Sequence, residues 1–193
     1  MKRKPEIIVF AGPNGSGKST ITKMANIIEP YINADDIKKA NHCSDIQAAQ
    51  TADSMKNTLI DTKTDFTFET VLSTNRNLNL LKRAKDNGYF IKCFYVLTAN
   101  PMINITRVQV RKASGGHDVP KEKIVSRYVK AFHLIPSLLE LCDICHIYDN
   151  SDTPFRIFKK RKEEYFYWEN IFWNKSQIED LTQIHFSHNK KDG

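Results

Sequence analysis

No apolar run in this chain approaches the roughly 20 residues that a membrane-spanning helix needs, which excludes a bilayer span. Cysteine is scarce, with four in 193 residues. Cys142 and Cys145 form a C-x-x-C, but no second pair or suitably spaced histidine completes a zinc site. The pair straddles a predicted helix end and strand start, where cysteine serves as a small buried apolar residue. Free structural thiols are therefore expected. Internal repeats, low-complexity segments and an interdomain linker are all lacking. The apolar stretch behind Lys2-Arg3-Lys4 is too short for a signal peptide. Acidic side chains are outnumbered, 22 against 29 basic ones, for a net charge of +7. That balance attracts polyanions at low salt, yet a phosphate-handling enzyme shows it without binding nucleic acid. The densest basic run, Lys159-Lys160-Arg161-Lys162, reads as a solvated hairpin tip ahead of a nucleic-acid patch. Composition, at 40% apolar and 26% charged, is that of a globular protein. The expectation is one domain over residues 1–185, then a disordered tail, 186–193, working in the cytoplasm.

What is present is a phosphate-binding loop. Gly12-Pro13-Asn14-Gly15-Ser16-Gly17-Lys18-Ser19 fits G-x-x-x-x-G-K-[ST], after the apolar run Ile7-Ile8-Val9-Phe10 and before a helix starting near Lys18. Strand, loop and helix in that order are the setting the motif requires. Its glycines let the backbone curl so that successive N–H groups face one concavity, and the helix start adds partial positive charge. Lys18 can reach the β- and γ-phosphates and the Ser19 hydroxyl can ligate Mg²⁺. The spacing predicts nucleoside triphosphate binding.

Strand and helix patterns alternate along the rest of the chain, which argues for an α/β fold. Strands are expected at Glu6–Phe10, Tyr31–Asn33, Phe66–Glu69, Tyr89–Leu97 and Ile144–Tyr148. The capping-box spacing Ser44-Asp45-Ile46-Gln47 opens a helix to about Thr62. Further helices are expected from Asn75 to Gly88, from Pro101 to about Ser114, and from Pro120, in the first turn, to Leu141. Phe155–Phe158 and Tyr165–Trp168 look like a hairpin, with Ser176-Gln177-Ile178-Glu179 capping a last short helix. The expected fold class is thus an α/β P-loop NTPase, a three-layer sandwich. Its sheet is mainly parallel and five-stranded, with a C-terminal hairpin/helix extension.

Ligands in such sheets sit beyond the carboxyl ends of the strands, and three groups fall there. Asp35 and Asp36 follow the second strand; one can act as general base and the other can cap the following turn. Glu69 and Thr70 end the third strand, where Glu69 can orient a metal-bound water or hold substrate hydroxyls, or form a structural salt bridge. Arg107 and Arg111 share a helix face ahead of Gly115-Gly116-His117, a pair of glycines suggesting a hinged lid. Arg127 lies at the margin of the stripe Ile124, Tyr128, Ala131, Ile135, Leu138. Guanidinium groups suit the charge of a transferring phosphoryl group.

Together these segments resemble the zeta-toxin family of P-loop kinases. The resemblance rests on Gly12–Thr20, Ile32–Ile37 (INADDI), Phe68–Ser73 (FETVLS), Arg107–Pro120, Ile124–Tyr128 and Tyr148–Ser151. It implies Asp35 as catalytic base with Asp36 as a substrate-side neighbour, Glu69 and Thr70 as substrate-binding residues, and Arg111 and Arg127 beside Lys18 as phosphate-stabilising groups. It further implies ATP and Mg²⁺ as cofactors and phosphorylation of a hydroxyl on a sugar nucleotide such as UDP-N-acetylglucosamine. An antitoxin protein is an implied partner, whereas nucleic acid and membrane are not. The aromatic stretch Tyr165–Trp173 falls outside the resemblance and reads as core. Two other readings stay open: a polynucleotide 5′-kinase or repair enzyme, suggested by the +7 charge, and a non-catalytic ATP-sensing module.

Overall fold

The computed structural model describes residues 3–115 and 119–186. Gly116 and His117 of the predicted lid, and residues 187–193 of the predicted tail, lie outside the described residues. Five strands run parallel: β1 (Glu6–Ala11), β2 (Tyr31–Ile32), β3 (Phe66–Thr70), β4 (Phe90–Leu97) and β5 (Ile144–Asp149). Their spatial order is β2-β3-β1-β4-β5, so the adjacent strands β1 and β3 both deliver their carboxyl ends to one edge. β1 is buried from Ile7 onward, which is why it reads as a continuous apolar run.

The predicted hairpin is part of the same sheet. β6 (Phe155–Arg161) pairs antiparallel with β5, and β7 (Glu164–Tyr167) with β6, making seven strands in all. On one face the main core gathers α3 (Asp45–Asp61), α4 (Arg76–Asp86), α7 (Ile135–Leu141) and α8 (Lys175–Thr182), through residues such as Ile60, Leu81, Leu138 and Ile178. On the other face α1 (Lys18–Met24) lays Ile21 against Ile8, Phe10 and Val96 of β1 and β4. α5 (Pro101–Ala113) and α6 (Lys121–His133) join at Ile105, Val108 and Ile124.

Several local expectations change for identifiable reasons. The helix predicted from Pro120 to Leu141 is two helices meeting at Leu134, because Pro136 lacks an N–H and belongs to a first turn. Pro120 itself stands just before α6 as its cap residue. An unpredicted helix, α2 (Ala34–Asn41), follows β2, with the Asn33 side chain accepting the Asp35 N–H as its cap. Neither aspartate serves as that cap. Asn174, with Gln177, caps α8 in place of Ser176. Phe186 is ordered against the sheet, stacked on Tyr167 at 4.5 Å, so the folded chain runs past residue 185.

The basic run is not one solvated tip. Lys159 and Lys160 lie within β6, and Lys160 is buried, donating to the Leu139 carbonyl. The C-x-x-C thiols are buried and form no disulfide, and Cys93 of β4 joins them with all three sulfurs within 4.8 Å of one another.

Candidate active site

Between β1 and α1 the chain curls through Gly15 at φ +77° and Gly17 at φ +89°. Side chains are doubly barred there. A Cβ on Gly17 would lie 2.0 Å from Asn150 Nδ2, and one on Gly15 would lie 2.5 Å from the Asn104 carbonyl oxygen. Two asparagines hold the loop in this form. Asn104 of α5 donates to the Asn14 carbonyl at 2.7 Å, and Asn150, just after β5, donates to the Ser16 carbonyl at 2.8 Å. The backbone N–H groups of Gly15, Gly17, Lys18 and Ser19 have no acceptor among the described residues. The buried Ser16 hydroxyl likewise has no partner among them. Unpaired donors converging on one concavity are what a phosphate requires.

Lys18 is buried at the centre of this cradle, bonding the carbonyls of Gly12 at 2.9 Å and Pro13 at 3.2 Å. Its ammonium also lies 3.7 Å from Glu69 Oε1. Burial lowers the Lys18 pKa; Glu69 and Asp35 raise it again, and Arg111 adds to the lowering. These charges therefore act on one point. Glu69 is oriented by Tyr31, whose hydroxyl donates to Oε2 at 3.1 Å, and Asn33 approaches the same hydroxyl at 3.4 Å. Burial, with Glu69 next, pushes the Tyr31 phenol well above its ordinary pKa, so it remains a donor.

The cradle opens into a cavity of about 420 Å³. Lys18, Ser19, Asp35, Glu69 and Thr70 line it, as do Arg111 and Arg127. Asn14, Gly15 and Gly17 contribute the loop side. Gly12, Pro13 and Ser16 are buried beneath the loop, and Thr20 is exposed outside the cavity. Asp36 is exposed one residue beyond Asp35 and does not line the cavity. Arg127 bonds the Asn14 side chain at 3.1 Å. Arg107 also reaches the cavity wall, but its guanidinium is bound to the carbonyls of Asn150 at 2.7 Å and Ser151 at 3.2 Å.

The wall opposite the P-loop comes from α3, where Ala48, Ala49 and Ala52 leave room for a ligand. Below them Lys56 bonds Asp53 and Asn77, each at 2.7 Å, and Arg76 pairs with the same Asp53. Asn77 in turn donates to the Thr70 hydroxyl at 2.9 Å. Tyr31, Asn104 and this Lys56–Asp53–Arg76–Asn77 cluster were not indicated by motif reading, whereas Asn150 lies in the Tyr148–Ser151 segment of the resemblance with no role attached to it. The sequence signal for Tyr31 was its position next to Ile32–Ile37.

Comparisons with known proteins bear on the family and the fold. The family described as Zeta toxin matches residues 1–167. An uncharacterized protein of Haemophilus influenzae is 30% identical over 127 residues, covering 63% of this chain and 91% of its own length. Among solved structures, a chain from the PezAT chromosomal toxin–antitoxin system of Streptococcus pneumoniae superimposes with TM-score 0.61 at 17% identity. It covers 95% of this chain and 84% of that one. A chain of the AvrRxo1-ORF1:AvrRxo1-ORF2 complex with ATP gives TM-score 0.70 at 14% identity, covering 96% of this chain. This chain spans 66% of that chain's length, just under two thirds.

Proposed function

The chain belongs to the zeta toxin family, and on that footing we propose that it is an ATP-dependent kinase. Its acceptor is a hydroxyl of a small molecule, by family resemblance a sugar nucleotide such as UDP-N-acetylglucosamine. One observation carries the reading: Lys18, Asp35, Glu69, Arg111 and Arg127 line a single cavity at the mouth of the P-loop. The loop N–H groups and Lys18 hold the triphosphate, and the Ser19 hydroxyl would hold Mg²⁺, which would supply neutralisation of phosphate charge. Lys18, which bonds its own loop carbonyls, has stronger acceptors in phosphate oxygens.

On the acceptor side Glu69 and Thr70 orient the substrate, and the alanine wall of α3 accommodates it. Asp35 takes the hydroxyl proton as the oxygen attacks the γ-phosphorus and the bond to the β-phosphate breaks. Arg111 and Arg127 stabilise the charge on the transferring group. The setting we propose is the cytoplasm, and the partner is an antitoxin protein; family membership and a structural neighbour from a toxin–antitoxin system support that pairing.

Transfer of labelled γ-phosphate to a panel of sugar nucleotides, nucleosides and oligonucleotides tests the proposal. Label should pass to a sugar nucleotide, and Lys18→Ala should lower the rate by about 10²-fold or more. Saturating ATP–Mg²⁺ with no labelled acceptor anywhere in the panel would overturn it.

A further inference from the structure

The parallel core is covered on both faces, but strands β4 to β7 present a second surface that the active site does not use. Residue parity and register put it in three rows. Lys92, Ile144, Arg161 and Glu164 form one; Phe94, His146, Lys159 and Phe166 form the next. Tyr148 and Arg156 begin a third, completed by Trp168, which lies under the Arg156 guanidinium at 4.3 Å. The opposite parity, Cys93, Cys145, Phe158 and Lys160, is buried in the core. The side chains of the three rows, by contrast, are half-buried or exposed.

Two features of this face call for a ligand. Its cations, Lys92, Arg156, Lys159 and Arg161, have no carboxylate within ion-pair distance among the described residues; Glu164 is the one acid in the rows, at their outer edge. Instead three of them sit over rings, Arg156 over Trp168, Lys92 over Phe94 at 5.0 Å and Lys159 over Phe166 at 5.2 Å. In addition, Arg156 Nε and His146 Nδ1 are shielded from solvent and have no hydrogen-bond partner among the described residues. Burial first, and then the charges of Arg156, Lys92 and Lys159, lower the His146 pKa at the same spot. Unpaired cations interleaved with aromatic rings on an open sheet match the needs of a strand whose phosphates and bases are both accessible.

We propose that the β4–β7 face binds single-stranded nucleic acid, with Arg156, Lys159, Lys92 and Arg161 on phosphates and Trp168 and Phe166 against bases. This reverses the expectation drawn from the basic run. That expectation treated Lys159–Lys162 as a hairpin tip, whereas β6 directs Lys159 and Arg161 onto this face and Lys160 away from it. A duplex offers phosphates but keeps its bases stacked inside, so the rings favour a single strand. The proposal does not depend on the kinase reading, because none of these residues lines the catalytic cavity.

Fluorescence anisotropy with a labelled oligonucleotide of about 12 residues, titrated between about 50 and about 200 mM salt, tests it on the full chain. Four phosphate contacts predict a log–log salt slope of about −3 for a single strand. Arg156→Gln with Lys159→Gln should reduce the slope by about 1.4. Trp168→Leu should weaken binding about five-fold or more, while Lys18→Ala leaves it unchanged. Thermal melting of each variant separates lost binding from lost folding, and quenching of Trp168 fluorescence in a Trp173→Phe background reads the contact without substitution on the face. No binding at the lowest salt would overturn the proposal. So would equal affinity for a duplex of the same length, equal competition by poly-glutamate, or folded face variants that bind like wild type.

Discussion

Asn104 and Asn14 are 90 positions apart in sequence, yet the Asn104 carboxamide donates to the Asn14 carbonyl at 2.7 Å. Asn104 is fully buried, and its carbonyl oxygen accepts from Thr98, so both ends of the amide are committed. The loop that would hold phosphate is thus fixed from α5 rather than by its own motif. Asn104→Ala strips the Asn14 carbonyl of its donor and leaves the Thr98 hydroxyl only the Asn100 carbonyl, and should cost about 1–3 kcal/mol of stability. If the contact also shapes the cradle, the KM for ATP should rise while acceptor KM stays near wild type. Thermal melts and steady-state kinetics read the two effects separately. A lowered melting temperature with unchanged ATP KM would confine Asn104 to the fold.

The two adjacent aspartates should behave differently. Because Asn33 caps α2, neither carboxylate is engaged as the cap, and helix geometry then turns Asp35 to the cavity while Asp36 stays outside it. Asp35→Asn should reduce turnover about 10²- to 10⁴-fold, and Asp36→Asn should leave it close to wild type. Initial-rate measurements on both purified variants suffice. The reverse pattern would identify Asp36 as the proton acceptor.

What could be read in advance follows the range of the interactions. The P-loop, the capping box at Ser44 and Gln47 and the apolar strand β1 are set by neighbours a few residues away, and each lies where its pattern indicates. The five parallel strands follow from the same short-range alternation. The hairpin's attachment to β5 depends on pairing across the sheet, which no local pattern encodes. Likewise Lys160 is buried because β6 turns it toward Leu139, not because of anything in its basic neighbours. In the site, Lys18, Asp35 and Glu69 were legible because motifs name them. Tyr31 was not, and Asn150 was marked only as part of Tyr148–Ser151 without a role, because what they do arises only when strands β2 and β5 meet the site.

Arg107 and Arg111 share a helix face but not a job. The Arg107 guanidinium is bound to the carbonyls of Asn150 and Ser151, fixing the segment that holds the P-loop through Asn150 Nδ2. Arg111 lines the cavity and its charge acts on Lys18. Arg107→Ala should lower stability by about 1–3 kcal/mol and raise the KM for ATP. Arg111→Ala should lose about 10²-fold or more in kcat. Calorimetry paired with kinetics distinguishes them, and equal loss of kcat in both would show that Arg107 also meets the transferring phosphoryl group.

His146 gives the fold a dependence on acidity that can be isolated. It is stacked on Phe94 at 5.3 Å, and burial first, then Arg156, Lys92 and Lys159, lowers its pKa from 6.5 to about 4. Between those values the unfolded chain holds a proton on this imidazole that the folded chain refuses, so stability rises with pH across that window. The contribution is complete above pH 6.5 and is lost progressively as the pH falls toward about 4. His146→Phe keeps a ring against Phe94 and removes the titration. Its melting temperature should therefore fall less than that of wild type over the same acid range, with the gap closing near neutrality. Melting curves recorded by circular dichroism across the window check this. A wild-type–variant difference that does not change with pH would mean that the imidazole accepts its proton as readily in the folded sheet as in the open chain.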